Sequence, residues 1–368
     1  MLKKAGSIFI GVLVFLLIAS FGSASFACTD FQVKTLDGDF IIGRSMEFAV
    51  DLKPHIFIKP RGEKESGGAP EGGNGLVWTS KYGYAAVDAF GMAGVVIDGL
   101  NEAGLSAEGL WLAEASYQVV SKRRRNRAVH IGRFGAWVLG NFNRVEDIKN
   151  AVKNIRVWAD PVAGINMVPP VHFAVHDAEG GNIVIEFIAG EITVYDNPVG
   201  VLTNSPSFDW HIENLRNYVN LKTENAAPLT IGGIVVKPAG QGSGLSGIPG
   251  DWTPPSRFVR AAMLANFSDR PKDAAAGVNL AAHILNAVDI PMGAIKSNEK
   301  NGAANDHTQW AVIKDLKNGI LYIRDYNDLS LRAIDLKKLP FEKEMKTKRI
   351  PLENKAPRIT DITGALLK

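Results

Sequence analysis

Cys28 is the only cysteine in a chain of 368 residues, and it directly follows Ser25-Phe26-Ala27. Upstream, Lys3 and Lys4 precede an apolar run from Ile8 to Ala19 that carries no charge. A basic start, an apolar core and small residues three and one positions before a junction form the pattern of a secretory leader. The run is short of the roughly 20 apolar residues of a membrane span. The expectation is a leader over residues 1–27 that is removed, leaving an exported chain, periplasmic or secreted, from 28 to 368 with no lasting membrane attachment. Exported proteins can use disulfides, but a single cysteine forms no internal bridge, so this one is reactive or intermolecular.

A cysteine at a new chain start has chemistry built in. The thiolate is the nucleophile, and an ordinary thiol near pKa 8.5 is only slightly ionised at neutral pH. A free α-amine, with a pKa of about 7.7–8.0, can take the thiol proton and later return it to a leaving amine. Arg44 could hold a permanent positive charge near the sulfur, and Glu47 could bind and orient the α-ammonium. Taken singly, the same two residues read as an ordinary surface ion pair worth under about 1 kcal/mol. A cysteine–histidine pair is the competing nucleophile design, but the seven histidines are scattered. His172 and His176 lie four apart in a strand-like run without a third ligand, which reads as packing, since a zinc site takes at least three protein ligands. A lipidated Cys28 on a tethered binding protein is the alternative from another class. Ser25 and Phe26 fit a lipidation junction badly, and lipidation would block the amine.

The elements that must position these groups follow from the pattern. Thr29 to Lys34 alternates, Asp37-Gly38-Asp39 signals a hairpin turn, and Phe40 to Arg44 resumes as a strand. Strand signals recur at Ile56–Ile58, Tyr82–Val87, Gly94–Leu100 and Leu105–Trp111, so the opening reads as one β-meander. Helical periodicity runs from Ile131 to Asn141 and from Val145 to Ile155. Three strands follow around Val171–Val175, Ile183–Phe187 and Ile192–Tyr195. After a Gly/Pro-rich loop from Pro238 to Pro255 come helices at Ser256–Phe267 and Asp273–Ala287, then strands at Trp310–Ile313 and Leu321–Asp325. Strands, then helices, then strands indicate an α+β class: one domain of two antiparallel sheets with helices outside. A hydrophobic fraction of 46%, a charged fraction of 21% and a net charge of +3 are those of an ordinary globular protein. The basic run Lys122, Arg123, Arg124, Arg125 and Arg127 reads as a solvated loop, and no nucleic-acid motif surrounds it.

Several segments together resemble the choloylglycine hydrolase family of bile salt hydrolases and penicillin V acylases. They are Cys28-Thr29-Asp30-Phe31, Gly43-Arg44-Ser45-Met46-Glu47, Leu202-Thr203-Asn204-Ser205-Pro206, Phe208-Asp209-Trp210-His211, Gly247-Ile248-Pro249-Gly250-Asp251 and Ser256-Arg257-Phe258. The resemblance implies the four-layer αββα sandwich of N-terminal nucleophile hydrolases and hydrolysis of linear amides through an acyl-enzyme, with no metal or organic cofactor. It assigns Cys28 as nucleophile, Arg44 as the arginine beside the thiol, Asn204 as oxyanion donor and Arg257 as a second active-site arginine. It also implies a homotetramer. Two positions depart. Glu47 stands where the family usually has Asp, and Trp111 stands where many bile salt hydrolases have Asn and some penicillin V acylases Tyr. The indole leaves the Trp111 backbone N–H as oxyanion donor and narrows the pocket, favouring penicillin V-like, N-acyl amide or N-acyl homoserine lactone substrates over conjugated bile salts. The same departures keep an inactive amide-binding relative open as an alternative.

Overall fold

The computed structural model describes residues 27–162, 167–296, 305–342, 348–354 and 356–366. The expected leader lies outside the described residues except for Ala27. The hairpin expected at the mature start is present: Cys28–Lys34 pairs antiparallel with Phe40–Phe48, Cys28 opposite Met46 and Asp30 opposite Arg44. Gly38 takes φ 87° in the turn, a conformation that suits glycine.

Two large antiparallel sheets face each other. The six-stranded sheet runs Val201–Leu202, Cys28–Lys34, Phe40–Phe48, His307–Asp315, Ile320–Asp325, Asp328–Asp335. The eight-stranded sheet runs Glu191–Asp196, Asn182–Ile188, Val171–His176, Ser106–Trp111, Asp98–Asn101, Tyr84–Asp88, His55–Lys59, Arg349–Pro351. The opening segment is therefore not one meander. Both edges of Phe40–Phe48 are taken, by Cys28–Lys34 and by His307–Asp315. No edge is left for His55–Lys59, so the chain crosses to the second sheet.

Helices Pro254–Phe267 and Ala274–Val288 pack on the six-stranded sheet, sharing its core with Phe258, Ala261, Ile284 and Leu285 fully buried. Helix Ile131–Asn141 packs on the other sheet through Phe134, Val138 and Leu139. The result is a four-layer αββα sandwich. The helix expected from Ser256 starts two residues earlier, at Pro254, because proline fits the first helical turn, where its missing N–H has no intrahelical partner. Asp273 is the cap of the next helix, its carboxylate accepting the Ala276 N–H. The segment expected as a helix to Ile155 is α-helical only over Val145–Ala151 and tightens to a 3₁₀ turn at Val152–Asn154. The basic run Lys122–Arg127 is a 3₁₀ turn with no buried residue.

The elements that escaped the sequence pattern include helix Phe208–Asn214, a further strand and a hairpin. Asp328–Asp335 extends the first sheet by a strand. Leu229–Ile231 and Ile234–Val236 form a separate hairpin whose residues are all exposed. Among the described residues no helix is long and apolar enough to cross a membrane.

Candidate active site

Cys28 opens the first strand and is 2% exposed. Its sulfur lies 3.8 Å from Arg44 Nη2 and 3.6 Å from Met46 Sδ. Burial pushes the thiol up, and the Arg44 and Arg257 guanidiniums pull it down; burial, aided by Glu47, wins. The thiol therefore keeps its proton until a base removes it. The full chain still carries Ala27, whose carbonyl accepts the Glu47 N–H at 2.9 Å.

Asn204 is brought to Cys28 across 176 residues of sequence. Its Oδ1 accepts from the Cys28 backbone nitrogen at 2.6 Å and from Arg257 Nη2 at 2.8 Å. Two donors on one atom identify that atom as the oxygen, so Nδ2 must be the outward donor. Nδ2 bonds the Trp111 carbonyl at 2.9 Å and has a second hydrogen to give. Arg257 is fully buried and donates also to the Cys28 carbonyl, to Thr29 Oγ1 at 2.7 Å and to the Trp252 carbonyl at 2.9 Å. It thus fixes Cys28 and the Asn204 amide to one another.

Glu47, on the strand beside Cys28, is fully buried. Its Oε1 accepts from Thr308 Oγ1 at 2.8 Å, while Oε2 has no partner among the described residues. Burial raises its carboxyl to about 7, against the pull of Arg257 and Arg44 and the hydrogen bond from Thr308. A buried carboxylate oxygen without a donor is costly, and an α-ammonium at Cys28 is the kind of group that would relieve it.

Behind the sulfur lies a layer of six ionisable groups with no exposed side-chain surface. Arg44 Nη1 meets Asp98 at 2.7 Å, and Trp310 Nε1 donates to the same oxygen at 3.0 Å. Lys314 bridges Asp98, at 3.4 Å, and Glu108. His176 meets Asp30 at 2.8 Å and Glu108 at 3.7 Å. Burial raises Glu108 to about 7, opposed by Lys314 and His176. Asp30, Glu108 and His176 have converging ligand atoms, but the Lys314 ammonium bonded to Glu108 already supplies the cation there. With Arg44, Lys314 and His176 charged against Asp30, Asp98 and Glu108, the layer balances.

An apolar cavity of about 160 Å³ opens beside Cys28, lined by Met46, Phe48, Leu52, Phe90, Ile97 and Trp111 among others. Trp111 packs edge-on against Phe48, ring centroids 6.0 Å apart. All six residues singled out from the sequence converge here.

This arrangement presents a thiol, a backbone nitrogen beside it, an amide donor and an apolar acyl-sized cavity. The family model for linear amide C–N hydrolases of the choloylglycine hydrolase family matches residues 28–348, beginning at Cys28. The chain belongs to this family. It is 33% identical over 313 residues to a bile salt hydrolase/transferase of Clostridium perfringens, covering 84% of this chain and 93% of that protein. It is 30% identical over 351 residues to a penicillin V acylase of Pectobacterium atrosepticum, covering 89% and 85%. A crystal structure of a conjugated bile acid hydrolase from Clostridium perfringens superposes with a TM-score of 0.80 at 31% identity, over 91% of this chain and all of that one. A penicillin V acylase structure from Agrobacterium tumefaciens gives 0.71 at 25% identity, over 89% and 92%. The protein is a linear amide C–N hydrolase with the fold of N-terminal nucleophile hydrolases.

Within this family member, sequence reasoning missed Asp98, Lys314 and Thr308, whose partners come from other strands. His172 and His176 are buried, as read, but they are more than packing residues. Each contacts a buried carboxylate, Glu186 and Asp30 respectively. Two histidines on one face of an inward-facing strand were the available signal.

Proposed function

We propose that the protein is a cysteine N-terminal nucleophile amidase that cleaves a linear amide bearing an apolar acyl group, penicillin V-like or an N-acyl amide such as an N-acyl homoserine lactone. The observation that carries the reading is Cys28 at the mouth of an apolar cavity, its nitrogen and sulfur flanked by Asn204 and Arg44. After removal of residues 1–27, the Cys28 α-amine takes the thiol proton as Sγ attacks the amide carbonyl. The oxyanion is met by Asn204 Nδ2–H, with the Trp111 backbone N–H as second donor. The α-ammonium, steadied by Glu47, returns the proton to the leaving amine, and a C–N bond breaks as the C–S bond stands. Water, deprotonated by the same amine, then releases the acid and the thiol. Arg44 stabilises developing negative charge on sulfur, and Arg257 holds Asn204 in register.

The cavity size supports a small acyl group over a steroid. Its 160 Å³ is below the roughly 300–1,000 Å³ of pockets for drug-sized ligands, and the Trp111 indole occupies part of its wall. Conjugated bile salts, which the names of the Clostridium relatives suggest, are the second reading. Export to the periplasm or medium accompanies the proposal, as does assembly with further copies of the chain. The exposed hairpin, with Leu229, Ile231, Ile234 and Val235 each at least 57% exposed, supports such assembly.

The test is intact mass and N-terminal sequencing of the exported protein, then kinetics of Cys28→Ala and Cys28→Ser on penicillin V, an N-acyl homoserine lactone and a conjugated bile salt. The expected result is a chain starting at Cys28 and hydrolysis lost in Cys28→Ala. Undiminished hydrolysis in that variant, or a lipid mass on the first residue, would falsify the mechanism.

A further inference from the structure

The strand that delivers Asn204 ends at Leu202, so the carbonyls of Thr203 and Asn204 leave the sheet without a ladder to pair in. Buried carbonyls need donors. Here each receives one from a different imidazole: His172 Nε2 lies 2.9 Å from the Thr203 oxygen and His211 Nε2 lies 2.8 Å from the Asn204 oxygen. Both histidines are fully buried.

A carbonyl only accepts, so each Nε2 must carry hydrogen. The other ring nitrogens are handled differently. His172 Nδ1 faces Glu186 Oε1 at 3.1 Å, and that oxygen also accepts the Phe208 N–H at 2.9 Å, at the start of helix Phe208–Asn214. His211, on that helix, stacks on Phe258 with centroids 4.7 Å apart and planes 9° apart, and its Nδ1 has no partner among the described residues. Burial holds His211 down to about 4, keeping the ring neutral, with one hydrogen and that one on Nε2. Glu186 thus orients His172 directly and anchors the helix that carries His211.

From these contacts we infer that His172 and His211 are positioning residues that clamp the Asn204 loop from behind and aim its amide N–H at the substrate oxyanion. Arg257 and the Cys28 nitrogen hold the Asn204 side chain from the front, and the imidazoles hold its backbone. An oxyanion donor acts over a window of roughly 2.7–3.1 Å, and a displacement of about 1 Å in an active site can cost on the order of 10²-fold in rate. A loop without a ladder would not keep that tolerance unaided.

The inference rests on the amidase reading above, so the experiment carries its own control. His211→Leu removes the donor and keeps apolar contact with Phe258; His211→Gln restores an N–H of similar reach. Amide hydrolysis and Cys28 alkylation by iodoacetamide are measured on both, beside wild type and Cys28→Ala. In His211→Leu, kcat is expected to fall roughly 10- to 100-fold with KM and the alkylation rate within about twofold, and His211→Gln recovers much of the loss. Should His211→Leu not fold, His172→Leu against His172→Gln gives the same comparison at the neighbouring carbonyl. An unchanged kcat, equal losses in the Leu and Gln variants, or alkylation falling in step with kcat overturns the clamp. Hydrolysis surviving in Cys28→Ala instead overturns the nucleophile assignment.

Discussion

Replacing Lys314 by Met isolates the buried charge layer behind Cys28. Met keeps most of the aliphatic stem but removes the ammonium that bridges Asp98 and Glu108, all three side chains being fully buried. The five remaining charges then sum to one uncompensated negative charge. Breaking a buried pair from one side costs about 3–5 kcal/mol. The penalty depends on pH in a definite direction. Glu108 is raised to about 7 in the fold, against about 4.3 for an unfolded glutamate. The folded state therefore binds more protons than the unfolded state between those values, and stability falls as pH rises through them. Without Lys314 the folded value climbs further and the window extends above 7. At pH 8 the full penalty is expected; at pH 5.5 Glu108 takes a proton, the remaining charges balance, and the difference shrinks to under about 1 kcal/mol by the same linkage. The assay is equilibrium urea unfolding of both proteins at the two pH values. With m near about 3 kcal/mol/M, the midpoint should drop by roughly 1 M or more at pH 8. A shift below about 0.3 M, or the same shift at both pH values, refutes the reasoning and means that water or relaxed geometry already screens the layer.

Asn204→Ala should lower kcat by about 10²–10³, the loss of one oxyanion donor, while circular dichroism stays native; a loss confined to KM would assign Asn204 to ground-state binding. Glu47→Gln removes the carboxylate proposed to steady the α-ammonium, so the amine loses its proton more easily and the acidic limb of kcat/KM should move to lower pH; a pH–rate profile with an unmoved limb contradicts that pairing. Trp111→Ala enlarges the cavity, and kcat/KM for a conjugated bile salt relative to penicillin V should rise by roughly tenfold or more, the scale of filling or emptying one apolar subsite. An unchanged ratio places substrate selection elsewhere.

Legibility in the sequence tracked how local each feature is. Cys28, Arg44 and Glu47 belong to one hairpin whose Asp37-Gly38-Asp39 turn and alternating strands are written in consecutive residues, so their neighbourhood was readable. Asn204 and Arg257 stand 176 and 229 residues from Cys28, and no periodicity links them to it; only the family resemblance of their segments did. Lys314, Asp98 and Glu108 each sit in apolar strand runs where one polar residue signals little until its partners across the sandwich are known. The exposed hairpin around Gly232-Gly233 reads, by its apolar strands, like a core element and gave no sign of standing outside.

By itself the sequence determined the candidate nucleophile, the alternation of strands, the existence of the main helices though not their exact starts, and the α+β class. All of these depend on interactions within a few residues. Tertiary structure alone decided which strands share a sheet, because an edge already occupied on both sides cannot accept a third partner. It also decided the protonation of the site. Cys28 and Glu47 are ordinary groups in the chain; burial raises both against the downward pull of Arg44 and Arg257, and desolvation exists only once the two sheets have closed over them.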